Sequence, residues 1–154
     1  MLDPLELPFT KTTILHILLH SFQNATEVHG DKCASHIANG SDLIMIIVYI
    51  SQKKIDDIIV FLHERLFPYS HRDSIVFKTN KDKLPLILAG DFNVNFPKDE
   101  SMPLIMFLQE EFQLQINNYT REPTTKYGTT IDAVFIRYLD NVMSNTFVTY
   151  FSYH

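Results

Sequence analysis

A carboxylate and an amide stand two positions apart at Asp91 and Asn93, directly after a short apolar run that spans residues 85–89. The run is bounded by Pro and Gly and predicts a buried strand. Because side chains alternate along a strand, we expect Asp91 and Asn93 to share one side and Phe92 to face the other. Oxygen ligands of this kind suit a phosphate site or a hard cation. A strand followed by an Asx-rich turn is the simpler alternative.

Two further polar residues belong to predicted strands of the same kind. Residues 43–50 are almost continuously apolar, which predicts a strand buried on both faces, and Tyr49 stands at its end. Residues 129–136 predict another strand, in which Asp132 is a carboxylate among apolar and β-branched neighbours. A charge in such a place needs a partner, so a structural salt bridge is the alternative to a functional role.

The elements that must position these residues follow from apolar spacing. Residues 54–67 and 101–112 each carry an apolar stripe at helical spacing and predict two helices. Residues 69–83 are polar and mixed in charge, and we expect a long surface connection there. Residues 24–42 predict a loop or a hairpin. A last strand is predicted at 146–151, just before the C-terminal histidine.

Length and composition restrict the class of protein. The chain has 154 residues, the size of one domain, and a formal net charge of −5. A protein that only coats nucleic acid is expected to be basic, so any nucleic-acid contact should be local. Cys33 is the single cysteine, which fits a reducing compartment. The longest apolar run is too short to cross a membrane, and no signal peptide is evident, so we expect an intracellular protein of nucleus or cytoplasm.

Four motifs occur in the order found in one known superfamily. They are Val-Tyr-Ile-Ser at 48–51, Gly-Asp-Phe-Asn at 90–93, Thr-Thr-Ile-Asp-Ala-Val-Phe at 129–135 and Ser-Tyr-His at 152–154. Together they resemble the endonuclease/exonuclease/phosphatase superfamily, which includes deoxyribonuclease-I-like enzymes and the endonuclease domains of retroelements. The resemblance implies an α/β fold, a partial four-layered α/β sandwich of two mixed β-sheets with flanking helices.

The resemblance also implies a parentage and a domain organisation. The sequence of residues 84–138 most resembles copies of the domain carried by eukaryotic mobile elements, including Helitron-like helicase polyproteins. The parent would then be a polyprotein with a helicase or a reverse transcriptase. We expect an irregular N-terminal segment at 1–42 and a partial superfamily domain at 43–154, truncated at both ends.

The activity that the resemblance implies is that of a Mg²⁺-dependent (or Mn²⁺-dependent) phosphodiesterase, most directly an endonuclease that cuts DNA. Asp91 would activate the attacking water as general base, and Asn93 would hold the scissile phosphate. These two residues would also contact the metal. Tyr49 would contact the phosphate or the leaving oxygen, and His154 would stabilise developing charge. Asp132 would support the histidine by a hydrogen bond.

Two departures from the superfamily pattern imply an impaired copy. The glutamate that is the principal metal ligand of the superfamily has no counterpart in the early part of this chain. Tyr153 stands where the superfamily has Asp, and a phenol with a pKa of ~10 supplies no negative charge near neutral pH. A catalytically inactive remnant of a mobile-element endonuclease is therefore an alternative, and a phosphatase on small or lipid phosphates is a third.

A basic and aromatic loop precedes the strand of Asp132. Arg121, Lys126 and Tyr127 lie in this loop and could meet a phosphate backbone, which favours a duplex nucleic acid over a small phosphate as the substrate. A solvated surface loop is the simpler alternative.

Overall fold

The computed structural model of the chain describes residues 43–78, 80–117 and 123–140, together with Val142, Ser144 and the backbone of 32–37. The predicted strand 146–151 and most of the segment 1–42 lie outside these residues. Within the described part, no helix is long and apolar enough to cross a membrane.

The described residues form a mixed α/β fold with a single mixed sheet. The sheet has the strand order β1-β2-β3-β5-β4, and only the β2–β3 pair is parallel. Along the chain the elements are β1 (Lys32–Ile37), β2 (Ile44–Tyr49), α1 (Ile55–Leu66), α2 (His71–Phe77), β3 (Leu86–Asp91), α3 (Met102–Phe112), β4 (Gln115–Ile116) and β5 (Asp132–Arg137). β1 lies within the segment 24–42, for which a loop or a hairpin is predicted, and it pairs antiparallel with β2, which follows that segment.

One face of the sheet packs against α1 and α3. The two helices begin and end within one residue of the predicted ranges, and their apolar stripes are buried as predicted. The core between sheet and helices includes Ile44, Ile46, Val48, Ile58, Leu62, Leu66, Leu86, Leu88, Leu104, Leu108, Phe112, Ala133 and Phe135. Burying this apolar surface is the main term that stabilises the fold.

The other face of the sheet is also apolar and carries the candidate site at one end. Met45 and Ile47 on β2 are buried although they point away from the helices, so the prediction that β2 is buried on both faces is confirmed. On the neighbouring strands this face continues through Ile87, Ala89, Val134 and Ile136, which are partly buried. Tyr49 stands at the end of the same face.

The segment 69–83 lies largely at the surface, as predicted, but it is a folded element and not only a connection. The segment contains α2, flanked by two short 3-10 turns, and buries Ser70, Ser74 and Asp82. Ser70 caps α2, because its Oγ accepts a hydrogen bond from the backbone N–H of Asp73 at 3.1 Å. Ser74 Oγ accepts from the N–H of Asp82 at 3.2 Å. Polar side chains that satisfy backbone groups locally explain why the segment lacks an apolar pattern and is still folded.

Arg137, at the end of β5, holds this segment against the sheet. Its guanidinium donates to four carbonyl oxygens, those of Tyr69 (2.9 Å), Lys81 (2.7 Å), Leu84 (3.1 Å) and Phe112 (3.2 Å). The side chain is buried, and burial lowers the pKa of Arg137 because desolvation disfavours the charged form. One residue therefore connects the 69–84 segment, the C-terminal end of α3 and β5.

Candidate functional site

Three of the predicted site residues form one row across the sheet. Tyr49 at the end of β2 is the register partner of Asp91 at the end of β3, and Asp91 is the register partner of Asp132 at the start of β5. Register partners on neighbouring strands point to the same face. The hydroxyl and the two carboxylates therefore share one end of the sheet, on the face opposite α1 and α3.

Asn93 lies beside this row, but the predicted strand alternation is not what places it there. The strand ends at Asp91, and Asn93 has a left-handed backbone with φ of 54°. Its backbone N–H donates to Asp91 Oδ1 at 2.9 Å, which closes an Asx turn. The exposed Asn93 is thus held beside Asp91 by this hydrogen bond rather than by strand periodicity. Phe92 is fully buried on the opposite side.

Gly90 lets β3 approach β2 at the point where the row forms. Its φ is 146°, and a Cβ at this position would lie 1.9 Å from the carbonyl oxygen of Val48. No side chain fits there, so glycine is required by contact with the neighbouring backbone as well as by conformation. The sequence shows the glycine as a turn signal, but only the strand pairing reveals this contact.

Hydrogen bonds join the loops at this end of the sheet. The N–H of Ile50 donates to the carbonyl of Asp91 at 2.9 Å, and the N–H of Phe92 donates to that of Ile131 at 3.0 Å. Asn95 adds a side-chain bond, since its Oδ1 accepts from the N–H of Thr130 at 3.2 Å. The rings of Phe92, Phe96 and Phe135 pack edge to face beneath them. The strand ends are therefore held in a fixed relation.

Thr124 anchors the loop that precedes Asp132. Its Oγ1 accepts from the N–H of Ile131 at 3.1 Å and lies 3.4 Å from the N–H of Asp132. Thr125 closes the same loop, because its Oγ1 lies 2.7 Å from that of Thr129 and also accepts from two backbone N–H groups. Thr124 and Asn95 were not predicted as site residues. In the sequence, the signal for such a role was a short polar side chain in a stretch rich in turn residues.

The predicted substrate loop is described in part. Lys126 and Tyr127 are exposed, and the Lys126 ammonium lies 5.0 Å from the centroid of the Tyr127 ring. Arg121 and His154 lie outside the described residues. The structure thus brings together Tyr49, Asp91, Asn93 and Asp132, with Lys126 and Tyr127 on the adjoining loop.

The donor set of this row consists of oxygen atoms. The Asp91 and Asp132 carboxylates, the Asn93 amide and the Tyr49 hydroxyl are donors of the type that Mg²⁺ and Mn²⁺ prefer. Within the described ranges, no group of three or more His, Cys, Asp or Glu side chains comes together. In chemical type, the Asp91 carboxylate and the Asn93 amide oxygen beside it fit a hard divalent cation.

Comparison with protein-family models, with curated proteins and with solved structures finds no match to this chain.

Proposed function

We propose that the chain is a divalent-metal-dependent phosphodiesterase-type domain, and most directly an endonuclease that acts on DNA. The observation that carries this proposal is the register row of Tyr49, Asp91 and Asp132 at one end of the sheet, with Asn93 tied to Asp91. Residues from three separate parts of the sequence meet there, and each has a type that phosphate chemistry uses.

The Asx turn gives Asp91 the fixed orientation that a general base needs. Its Oδ1 accepts from Asn93 at 2.9 Å, which limits rotation of the carboxylate and presents it to a water molecule at the rim of the sheet. The Asn93 side-chain amide, exposed beside it, donates to a phosphoryl oxygen. Tyr49, one strand away, donates its hydroxyl to the phosphate or to the leaving oxygen.

Asp132 takes a supporting role in this scheme. Its carboxylate faces the same side as that of Asp91, and we assign it to hold His154, whose imidazole stabilises charge on the phosphoryl oxygens. Asp91 and Asn93 are the residues that would hold Mg²⁺ or Mn²⁺, whose charge offsets that of the phosphate and of the leaving oxygen.

We also propose that a second sheet completes the architecture as a four-layered sandwich. The face of the described sheet that points away from α1 and α3 is apolar along β2, β3 and β5. An apolar sheet face is stable when another layer covers it. Such a layer would also form the second wall of a cleft at the end where Tyr49, Asp91 and Asp132 lie.

The two departures from the superfamily pattern lead us to propose an impaired enzyme. Tyr153 stands in place of the Asp that precedes the superfamily histidine, and no counterpart of the metal-binding Glu was found in the sequence. The oxygen donors that remain give fewer negative charges to the metal, so its affinity is expected to be low. A mobile-element origin, which the resemblance of the motifs implies, would account for a copy that has lost part of its site.

A plasmid-nicking assay with Mg²⁺ tests the proposal. We expect slow conversion of supercoiled to nicked DNA that is lost in Asp91→Ala and kept in Asp140→Ala, because Asp140 lies beyond the opposite end of β5. Equal nicking by all three proteins would indicate a contaminant and contradict the proposal. If none of the three nicks DNA at any Mg²⁺ or Mn²⁺ concentration, the inactive remnant is the correct alternative.

A further inference from the structure

We propose that the candidate site receives a single-stranded or unpaired stretch of nucleic acid, with Tyr127 stacking on a base and Lys126 contacting the adjacent phosphate. This inference rests on the proposed function, because it names the substrate form that the same end of the sheet would take.

The first observation is the exposure of the Tyr127 ring. Its side chain is 77% exposed, the largest exposure among the large apolar and aromatic residues in the described part of the chain. The Lys126 ammonium lies 5.0 Å from the ring centroid, so a cation is already held against the aromatic face. An aromatic ring beside a cation is the arrangement by which proteins stack bases and hold a single-stranded backbone.

The second observation is the rigidity of the loop that carries this pair. Hydrogen bonds within 124–129 close the loop, including the N–H of Tyr127 to Thr125 Oγ1 at 3.2 Å. Thr124 fastens its base to the N–H groups of Ile131 and Asp132. The backbone that carries the ring is therefore held in place before any ligand binds, which lowers the entropy cost of binding.

The third observation is the charge of the neighbouring loops. Exposed lysines follow both strands of the Tyr49–Asp91 pair, namely Lys53 and Lys54 after β2 and Lys98 after β3. Carboxylates come shortly after them and offset this charge: Asp56, Asp57, Asp99 and Glu100. With a formal net charge of −5, the chain as a whole repels phosphates. Its attraction to a nucleic acid is therefore local and suits a few nucleotides rather than a long duplex.

The form of the nucleic acid follows from the ring. A base inside a duplex has both faces covered by its neighbours, and extruding it costs free energy. An unpaired base can stack on Tyr127 without that cost. A ring that is this exposed, on the loop that leads into Asp132, thus favours single strands, bulges or frayed ends over intact duplex.

Fluorescence anisotropy with the full chain can test this inference. The probes are a labelled short oligothymidylate and a labelled hairpin of matched length, in low salt with EDTA so that no cleavage occurs. We expect the single strand to bind more tightly than the hairpin. Tyr127→Ala should weaken single-strand binding about tenfold, whereas Tyr127→Phe, which keeps the ring, should bind as the wild type does.

Two control variants make the result specific. Tyr138→Ala removes another exposed tyrosine, which follows the opposite end of β5 and lies against Arg137, and it should leave binding unchanged. Lys126→Ala should reduce the salt dependence of single-strand binding by about one counterion, while Lys81→Ala, whose ammonium lies over Tyr69, should not.

Tighter binding to the hairpin, an unaltered affinity in Tyr127→Ala, or an equal loss in Tyr138→Ala would each overturn the inference. Because binding is measured without metal, it can fail or succeed separately from cleavage. If nicking requires Asp91 but single-strand binding does not require Tyr127, this inference is refuted and the proposed activity is not. If single-strand binding requires Tyr127 but no nicking occurs, the proposed activity is refuted and this inference is not.

Discussion

Asp91 and Asp132 are register partners on the antiparallel strands β3 and β5, so two carboxylates stand directly opposite each other at the end of the sheet. Like charges in this relation destabilise a pair of strands. A divalent cation bound at the proposed site beside Asp91 would offset part of this repulsion.

The first prediction concerns metal binding and stability. Mg²⁺ at a concentration several-fold above its dissociation constant should raise the melting temperature of the wild-type chain by a few degrees, because a ligand that binds only the folded state stabilises it. Asp91→Asn should remove this shift, and Asp140→Asn should preserve it. Thermal unfolding followed by circular dichroism, with and without EDTA, measures the effect. A shift of equal size in Asp91→Asn would show that the metal binds elsewhere.

The second prediction concerns Gly90. Gly90→Ala places a Cβ 1.9 Å from the carbonyl oxygen of Val48, so β2 and β3 must separate. We expect the free energy of unfolding to fall by more than about 3 kcal/mol, or the chain to be insoluble. Gly128→Ala is the matched control, since Gly128 also has a positive φ, 78°, but open space around it. It should cost about 1 kcal/mol. Urea unfolding compares the two, and equal losses would contradict the steric argument.

The third prediction concerns Arg137. Arg137→Met leaves buried carbonyl oxygens of the 69–84 segment and of α3 without their donor. We expect a loss of about 3–5 kcal/mol in the free energy of unfolding. Arg137→Lys should recover little, because one ammonium cannot reproduce the planar fork. Arg72→Met removes only an exposed pair with Glu111 at 3.5 Å and should cost less than about 1 kcal/mol. Comparable losses in the Met variants would refute the connecting role of Arg137.

The fourth prediction concerns acid stability. The hydrogen bond from His71, whose Nδ1 lies 2.8 Å from Asp82 Oδ2, and then that from Ser74, lower the pKa of Asp82 in the folded state. The unfolded chain then binds the proton more readily than the folded chain. The stability that Asp82 contributes is complete above its unfolded pKa of ~3.9 and is lost as the pH falls through the lower folded value.

Asp82→Asn should therefore flatten the fall in stability below about pH 4, relative to the wild type. Asp140→Asn is the control and should keep the wild-type slope. Urea midpoints measured across the acidic range provide the test. An identical pH dependence in Asp82→Asn and the wild type would contradict the assignment.

Much of the described fold follows from local patterns. Apolar stripes at helical spacing predict α1 and α3, and the continuous apolar run predicts β2, because burial on one or both faces requires apolar residues at regular positions. The segment 69–84 has no such apolar pattern. Its order depends on Ser70, Ser74 and Arg137, which bond to backbone groups, and polar residues of these types are equally common in solvated loops.

The sequence alone determined which residue types the chain offers for phosphate chemistry, Asp91 and Asn93 foremost, and their order along the chain. Only the tertiary structure decided that Tyr49, Asp91 and Asp132 share one row, because strand register joins residues separated by more than forty positions. It also decided that an Asx turn rather than strand alternation brings Asn93 to Asp91. For Gly90, the sequence shows that the residue is a glycine, and only the tertiary structure shows why. The carbonyl oxygen of Val48, which leaves no room for a side chain, belongs to the neighbouring strand.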